Sequence, residues 1–428
     1  MTSEILLMNA KCVVLAADSA ATVGNKIYRT DKIFKLSRKQ PIALMFYGNA
    51  NISGIPLELL VNEYRSRVGD RIFNTVEECV KDFIDFIEKG GAESFTDNPI
   101  ITEDHITQQV LSLIYRYWNE LTNEVFRELV GKMLGESYET DKNLNEVFKS
   151  VKGDFEVHLE NKLAVFKDCV DQSKVSVIAQ KIEKAIDKSF LEEMSEIDSR
   201  FEFIEYEDVI VELIANMLVS GKGLDYTGIV VAGYGSNEYT PRFYEYAVYG
   251  LFYDGLIYSE TYKAKIDHKN PSLIETFAQD DAVRTYLYGI DDGLIEKIIG
   301  DMKEILYRST EEVVGLADAT KYSNPLRVLN DGLIEQFEKD LHNYTYSAYK
   351  LPTESAVEFL SKDEMILMAE SMINIMSLKK RVSDEEETVG GPVDVAVISR
   401  NEGLVWIKRK HYFNMELNPH YKGCKRDS

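Results

Sequence analysis

The amino-acid sequence predicts an α+β fold in which two antiparallel sheets lie between layers of helices. Strand-like segments cluster at 4–47, 228–265 and 393–409, and helical periodicity fills the intervals between them. Short turns join neighbouring strands within each cluster, which is typical of antiparallel pairing. Helices outside two packed sheets would bury the apolar face of every element.

The first strand cluster opens with a hairpin. Two apolar runs flank a turn at Ala10–Lys11, a pattern typical of paired, buried strands. A second turn, at Gly24–Asn25, leads to two further strands and then to a segment with helical spacing. The predicted strands are Ile5–Met8, Cys12–Ala17, Lys26–Leu36 and Pro41–Tyr47, and the predicted helix is Pro56–Val68.

The other two clusters contain the remaining strands, and helices separate them. A capping box formed by Ser361 and Glu364 begins the helix before the third cluster. The predicted strands are Gly228–Tyr234, Arg242–Tyr249, Gly250–Gly255, Leu256–Ala264, Val393–Ile398 and Leu404–Arg409. The predicted helices are Val76–Lys89, Gln108–Leu134, Asn143–Ile186 and Lys362–Lys380, and a further helical region opens at Gln279–Tyr288.

The chain has 428 residues, which indicates either one elaborated domain or two domains. We divide it into a core, made of 2–70, 227–284 and 361–428, and two helical insertions, at 71–226 and 285–360. Amphipathic spacing fills the first insertion, which contains no catalytic motif. The first insertion is therefore expected to pack its own apolar stripe.

Composition excludes several classes of function. The formal net charge of −23 disfavours nucleic acids and anionic membranes as partners, because both are polyanions. The sequence contains no run of 18 or more apolar residues, which argues against a membrane span, and no signal peptide is visible. Neither the histidines nor the cysteines have metal-ligand spacing, so no metal or cofactor is expected. The scattered cysteines are interpreted as reduced thiols of a cytoplasmic protein, and they are Cys12, Cys79, Cys169 and Cys424.

Thr2 is the first candidate for chemistry. It follows Met1 directly, and a residue this small allows removal of the methionine. Removal would leave an α-amine and a β-hydroxyl on one residue. Because an α-amine has a pKa of about 7.7–8.0, a neutral fraction exists near pH 7 and can accept the hydroxyl proton. Thr2 would then be nucleophile and base together.

Asp18, Lys32 and Gly48 are the second group of candidates. Asp18 ends an apolar strand, where a carboxylate needs a cationic or donor partner. Lys32 meets Asp18 if the segment beyond the turn folds back beside the hairpin. A lysine near the Thr2 hydroxyl would stabilise a developing alkoxide, and the N–H of Gly48, after a strand, could face an oxyanion. Taken singly, each residue also fits an ordinary structural role.

Together these segments resemble the start of a mature proteasome β-subunit. The resemblance covers Thr2–Leu7 and 13–25, and includes an Asp-x-x-x-Thr-x-Gly-Asn run that begins at Asp18. In that family the aspartate falls sixteen residues after the threonine, as Asp18 does after Thr2. The resemblance assigns the catalytic lysine to Lys32 and the oxyanion-binding glycine to Gly48.

The resemblance also assigns a substrate site. It implies that Thr22 and Ala50 offer backbone groups to an extended substrate, and that Ala21 and Phe46 lie near the pocket for its side chain. The resemblance is specific over roughly the first fifty residues, which contain these motifs. It is weaker in the later strands and absent from both insertions.

Two features of the family are missing from this chain in their usual form. The family has a serine-rich turn before a helix; here either Gln279 or Asp280 substitutes for that serine, or the role is vacant. It also has an aspartate and a serine before its last strand. Asp384 or Glu387 would supply that carboxylate here, and Thr388 the hydroxyl. The handling of protons is therefore less clearly defined than the nucleophile.

The resemblance predicts a four-layer αββα sandwich of the N-terminal-nucleophile hydrolase type, with large helical insertions. The expected activity is that of a threonine peptidase without a cofactor, acting on extended peptides. A non-peptide amidase, an inactive scaffold and an effector switched on by a partner are the alternatives. The resemblance also implies homo-oligomeric rings and an ATP-dependent unfoldase or regulator as a partner.

Overall fold

In the part of the chain that the structure describes, the strands form two five-stranded antiparallel sheets and two small two-stranded ones, so the prediction of two antiparallel sheets is confirmed. The computed structural model of the chain describes residues 3–23, 26–88, 103–135, 144–167, 171–197, 203–253, 255–316, 323–382 and 391–410.

The described chain begins in an inner strand of the first sheet. From edge to edge its strands are β12 (Ser272–Ala278), β1 (Ser3–Asn9), β2 (Val13–Ala17), β13 (Asp394–Ser399) and β14 (Gly403–Lys408). Ser3 lies opposite Ala278, and Ala17 lies opposite both Glu4 and Asp394. One end of this sheet therefore gathers residues from three distant parts of the sequence.

The second sheet contains, from edge to edge, β11 (Gly255–Lys265), β10 (Arg242–Phe252), β9 (Thr227–Gly233), β6 (Ile42–Gly48) and β5 (Ile33–Lys35). Two hairpins complete the strands. The first pairs β3 (Ala20–Val23) with β4 (Lys26–Arg29), and the second pairs β7 (Asn51–Ile52) with β8 (Ile55–Pro56).

Helices occupy the intervals between the strand clusters. They are α1 (Leu57–Val68), α2 (Val76–Phe86), α3 (Glu103–Gly135), α4 (Leu144–Lys167), α5 (Gln172–Ala185), α6 (Lys188–Ile197), α7 (Phe203–Ser220), α8 (Asp281–Tyr288), α9 (Asp292–Leu316), α10 (Ser323–Thr345), α11 (Leu351–Val357) and α12 (Lys362–Val382). A π-helical turn at Tyr346–Lys350 joins α10 to α11.

Strand β1 is buried on both of its faces. Because side chains alternate along a strand, Leu6 and Met8 join the cluster shared with the second sheet, whereas Ile5 and Leu7 join the cluster formed with α12. This explains why β1 reads as an almost continuous apolar run. Each such buried side chain stabilises the fold by about 1.5–3 kcal/mol.

The outer face of each sheet is covered by helices. Met365 and Ile373 of α12 pack against the first sheet. Leu60 of α1 and Phe83 of α2 pack against the second sheet. Helix α2 lies within the segment 71–226, yet it belongs to the cluster formed with the sheet.

Helices α3–α7 have a hydrophobic core of their own. Trp118 of α3 is fully buried at its centre and meets Phe155 and Phe203 edge-on, with ring centroids 5.7 and 5.2 Å apart. Aromatic pairs in this geometry add about 0.5–1.5 kcal/mol beyond their buried area. This region of the insertion therefore packs its apolar stripe on itself, as its periodicity indicates.

Several segments differ from the predicted elements, and one of them is the predicted strand Gly250–Gly255, which is divided between β10 and β11. Strand β12 was not predicted, because Glu275 and Thr276 interrupt its apolar pattern. The predicted strand Lys26–Leu36 is broken before β5, where Lys32 turns inward. The predicted helix Asn143–Ile186 is two helices, because Asp171 accepts a hydrogen bond from the backbone N–H of Ser173 and begins α5.

Candidate active site

A buried ion pair lies beside the beginning of β1. Lys32 Nζ is 2.5 Å from Asp18 Oδ1, and both side chains are almost completely excluded from solvent. Lys32 Nζ also donates to the backbone carbonyl of Ala20 at 2.6 Å. Burial lowers the pKa of Lys32, and the Asp18 carboxylate opposes this shift. These contacts fix the ammonium group in one place.

Asp18 also holds the backbone of Ser3. Its Oδ1 accepts from the Ser3 N–H at 3.1 Å, and its own N–H donates to the Ser3 carbonyl at 3.1 Å. Its Oδ2 accepts from the Ala20 N–H at 3.3 Å. Thr2 lies outside the described residues. Because a peptide bond joins the carbonyl carbon of Thr2 to the nitrogen of Ser3, Thr2 is bonded directly to a group that Asp18 holds.

Glu4 adds a second buried carboxyl that the sequence motifs did not identify. Its side chain is fully buried in β1, and neither carboxyl oxygen has a hydrogen-bond partner among the described residues. Desolvation raises the pKa of Glu4 well above its usual value, although the Lys32 ammonium opposes this. Burial therefore favours the protonated, neutral form of Glu4. The sequence feature that could have identified Glu4 is an acidic residue placed directly before an apolar run in the same strand.

Gly48, at the end of β6, borders a cavity of about 430 Å³. Its φ of +77° lies in the left-handed region, and a Cβ at this position would approach the carbonyl oxygen of Tyr226 to 2.6 Å. The residue must therefore be glycine. The cavity is lined by Tyr47, Gly48, Asn49, Leu224, Asp225, Tyr226, Ala278 and Gln279.

Aromatic rings form one wall of this cavity. Tyr47 meets Tyr226 edge-on at 6.1 Å and stacks on Phe277 at 5.6 Å. The Tyr47 hydroxyl donates to Glu245 Oε1 at 2.5 Å. Burial, together with the Glu245 carboxylate, raises the pKa of Tyr47. The wall is thus aromatic, and the Tyr47 hydroxyl on it is already hydrogen-bonded.

The turn after β12 brings Gln279 to the same cavity. Ala278 precedes it with a φ of 63°, which is unusual for a residue with a Cβ. Because Ala278 lies opposite Ser3, this turn is close to the start of β1. Asp280 is engaged elsewhere, since its Oδ2 accepts from the Thr276 hydroxyl at 2.5 Å. Burial raises the pKa of Asp280 despite that hydrogen bond.

The four predicted substrate-binding residues lie in different surroundings. Ala21 and Thr22 are in β3, and their side chains are outside the described region of the structure. Ala50 is exposed, and its carbonyl accepts from the Leu57 N–H at 3.0 Å. Phe46 is buried in the cluster with α1 and α2, where its ring stacks on Phe34, and it does not line the cavity.

The predicted supporting residues Asp384, Glu387 and Thr388 lie outside the described residues. Instead, Lys410 and Asp394 are the described residues that lie near the Asp18–Lys32 ion pair. Lys410 Nζ is 3.0 Å from Asp394 Oδ2 and donates to the Ser19 hydroxyl at 3.0 Å. Asp394 is buried at the start of β13. These two residues tie the last described strands to the segment that follows Asp18.

Neither a membrane span nor a metal-binding cluster is found among the described residues. None of the described helices combines the length and apolarity needed to cross a bilayer. Among the described side chains, no group of three or more His, Cys, Asp and Glu residues is arranged to hold a metal ion.

No family model matches the chain, and no curated protein matches it. Among solved structures, a Gly-1 mutant of Anbu from Hyphomicrobium sp. strain MC1 is 10% identical with a TM-score of 0.29, covering 100% of this chain and 96% of that one.

Two further Anbu structures give similar values. Anbu from the same strain is 11% identical with a TM-score of 0.28, covering 99% of this chain and 95% of that one. Anbu (ancestral beta-subunit) from Yersinia bercovieri is 8% identical with a TM-score of 0.28, covering 99% and 93%. TM-scores this low do not establish a shared fold.

Proposed function

We propose that this chain is a threonine-type N-terminal-nucleophile hydrolase that cleaves amide bonds in peptides, on a four-layer αββα core like that of a proteasome β-subunit. The observation that carries the proposal is the convergence on Asp18 Oδ1 of Lys32 Nζ at 2.5 Å and the Ser3 N–H at 3.1 Å. A single carboxylate thus connects a buried ammonium to the residue that follows Thr2.

The proposed reaction begins when Thr2 carries a free, neutral α-amine. This amine accepts the proton of the Thr2 hydroxyl, and Oγ attacks the substrate carbonyl carbon. The Lys32 ammonium stabilises the developing alkoxide, and Asp18 orients Lys32. The Gly48 N–H binds the oxyanion that forms as the carbonyl electrons move to oxygen.

Collapse of this intermediate breaks the carbon–nitrogen bond of the substrate. The leaving amine takes the proton held by the Thr2 amine, and an ester between Oγ and the acyl fragment remains. The Thr2 amine then removes a proton from a water molecule, and the water oxygen attacks the ester carbonyl. The bond from the acyl carbon to Oγ breaks, the proton passes from the amine to Oγ, and Thr2 is restored. One residue therefore handles the proton in both halves of the reaction.

The cavity beside Gly48 has room for one side chain of a peptide substrate. It lies between the end of β6 and the turn at Gln279, and the rings of Tyr47 and Tyr226 line one side. A cleft of this volume, with an apolar wall and a few polar groups, is typical of small-molecule and side-chain pockets. We expect it to accept an apolar or aromatic side chain next to the cleaved bond.

The test is covalent labelling by a peptide epoxyketone, which reacts with the amine and hydroxyl of an N-terminal threonine together. The intact mass of the wild-type chain should rise by one probe, and Thr2→Ala should abolish labelling. Thr353→Ala, in α11 and remote from the site, is the matched control and should label like wild type. An unlabelled wild-type chain that begins at Thr2 would contradict the proposal and favour the scaffold alternative.

Assembly and location follow from the same proposal. A proteasome-like subunit is expected to form homo-oligomers in the cytoplasm and to receive substrates from an unfoldase or regulator. Four large apolar side chains on the outer surface of α12 are exposed, which favours self-association. They are Leu367, Ile375, Leu378 and Val382. Light scattering of the purified chain measures the oligomeric state. If the chain is a monomer, ring assembly is removed from the proposal and the hydrolase activity remains.

A further inference from the structure

A second cavity continues from the one beside Gly48. Its volume is about 560 Å³, and it shares Asn49, Leu224 and Asp225 with the first cavity. The two spaces therefore adjoin at these three residues. The shared residues lie on the loop after β6 and on the segment between α7 and β9.

Helix α3, the first helix of the large insertion after α2, forms the far wall of this second cavity. His105, Gln109, Ser112 and Arg116 line it at spacings of four, three and four residues, which places them on one face of the helix. The opposite face, which carries Trp118, is buried in the core of the insertion. Thus α3 turns a polar face toward a space that reaches the candidate active site.

The near wall belongs to the sheet region. A Cβ at Gly54, in the β7–β8 turn, would lie 3.4 Å from His105 Nε2, so the helix passes directly over this turn. The Thr227 hydroxyl bridges the carbonyls of Asn49 and Asn51 at 2.9 Å each and holds the loop in place. Amide and hydroxyl groups from both walls face the cavity, and they match the donors and acceptors of a peptide backbone.

An ion pair marks the point where the cavities meet. Arg116 Nη1 is 2.7 Å from Asp225 Oδ2, and the two side chains are 49% and 68% exposed. An exposed pair of this kind contributes only about 0–1 kcal/mol, so a substrate can displace it at little cost. The two side chains at the junction are therefore only weakly held in place.

We infer that the two cavities form one groove for an extended polypeptide, and that the insertion, through α3, is a substrate-binding wall of the enzyme. This inference rests on the proposed function, because it starts from a cleavage site beside Gly48. It assigns to the insertion a role beyond packing its own apolar stripe. Neutral polar residues of the substrate would face α3, since its lining offers mainly amides and hydroxyls.

The experiment narrows the second cavity and leaves the first one open. Ser112→Trp and Gln108→Trp each place a large side chain at an exposed, cavity-lining position of α3. Asn119→Trp is the matched control, because Asn119 is exposed on the same helix and lines neither cavity. Circular dichroism identifies any variant that does not fold.

Two substrates separate the two cavities. Both cavity variants should lower kcat/KM for fluorescein-labelled casein, a disordered polypeptide, by about tenfold or more. The rate of labelling by a small β-lactone, which needs only the first cavity, should stay at the wild-type value. Asn119→Trp should change neither rate. Casein cleavage that is unchanged in both folded variants, or lost in proportion to β-lactone labelling, would overturn the inference.

A binding measurement separates this inference from the proposed function. The Thr2→Ala chain should bind labelled casein by fluorescence anisotropy, and adding Ser112→Trp should weaken that binding about tenfold. Absence of probe labelling in wild type would defeat the proposed hydrolase alone. Equal casein binding with and without Ser112→Trp would defeat the groove alone.

Discussion

The Lys32 ammonium and the Asp18 carboxylate lie 2.5 Å apart, and solvent reaches neither. The desolvation of two charges is expensive, and only good geometry with further hydrogen bonds offsets it. Here the further bonds are present, since the carbonyl of Ala20 accepts from Lys32, and the N–H groups of Ser3 and Ala20 donate to Asp18. The pair is a poor source of stability but an effective means of fixing one ammonium beside the start of β1.

Breaking this pair should be strongly destabilising. Lys32→Met leaves the Asp18 carboxylate buried without its cation and should lower the free energy of unfolding by about 3–5 kcal/mol. Adding Asp18→Asn removes the stranded charge, and the amide oxygen can still accept from Ser3. The double variant should therefore recover some of the loss in urea unfolding.

The control for this prediction is Lys297→Met, at an exposed pair. Lys297 Nζ is 3.2 Å from Asp301 Oδ2 on α9, and the side chains are 70% and 59% exposed. Its loss should change the free energy of unfolding by less than about 1 kcal/mol. If Lys32→Met were as harmless as this control, the pair would not be buried as described.

Gly48→Ala should damage both stability and reaction. A Cβ would meet the Tyr226 carbonyl oxygen at 2.6 Å, and the positive φ adds backbone strain of about 1–3 kcal/mol. The shift needed to relieve this contact would move the Gly48 N–H, so epoxyketone labelling should also slow. Gly300→Ala, on α9 where no atom lies within 4 Å of the new Cβ, should instead raise stability by up to about 1 kcal/mol. Equal effects of the two substitutions in urea unfolding and labelling would contradict this account.

Glu4→Gln should reveal a pH-dependent stability difference. The folded-state pKa of Glu4 is raised above the reference value of 4.5, so its contribution to stability is fully present below about pH 4.5. It is lost as pH rises toward the folded-state pKa, by about 1.4 kcal/mol per pH unit. Because glutamine does not titrate, the free energy of unfolding of the variant should rise relative to that of wild type as pH rises. Parallel stability curves from urea unfolding would show that Glu4 is not held neutral.

Glu335→Gln is the control for this titration. Lys339 hydrogen-bonds the exposed Glu335 and lowers its pKa, so its contribution is present above the reference pKa and lost only as pH falls below it. The difference between this variant and wild type should therefore stay constant from about pH 5 to about pH 8. A slope like that of Glu4→Gln would point to a general effect of charge.

Trp118→Ala should destabilise helices α3–α7 and leave the stability of the two large sheets unchanged. Removing this buried ring, which packs against Phe155 and Phe203, should cost about 3–5 kcal/mol. Hydrogen exchange should speed up across α3–α7 and stay slow in β1 and β2, because the insertion has a separate core. Tyr115→Ala, at an exposed position on α3, should leave both regions unchanged. Equal loss of protection in β1 would show that the two cores unfold together.

Local patterns predicted much of the fold. The hairpin of β1 and β2, the strands β9 and β10 and the helix α12 follow from the spacing of apolar residues, which acts over a few positions. Strand β12 could not be recognised in this way. It is a strand because it pairs with β1, about 270 residues away in the sequence, and that pairing tolerates the polar Glu275 and Thr276.

The sequence by itself determined the candidate nucleophile, the Asp18–Lys32 spacing and the position of Gly48, because motif spacing within one hairpin region is a short-range property. Only the tertiary structure decided that Glu4 is a buried acid without a described hydrogen-bond partner, that Lys410 reaches Asp394, and that α3 lines the second cavity. These facts depend on desolvation and on contacts between distant segments. Sequence periodicity records neither.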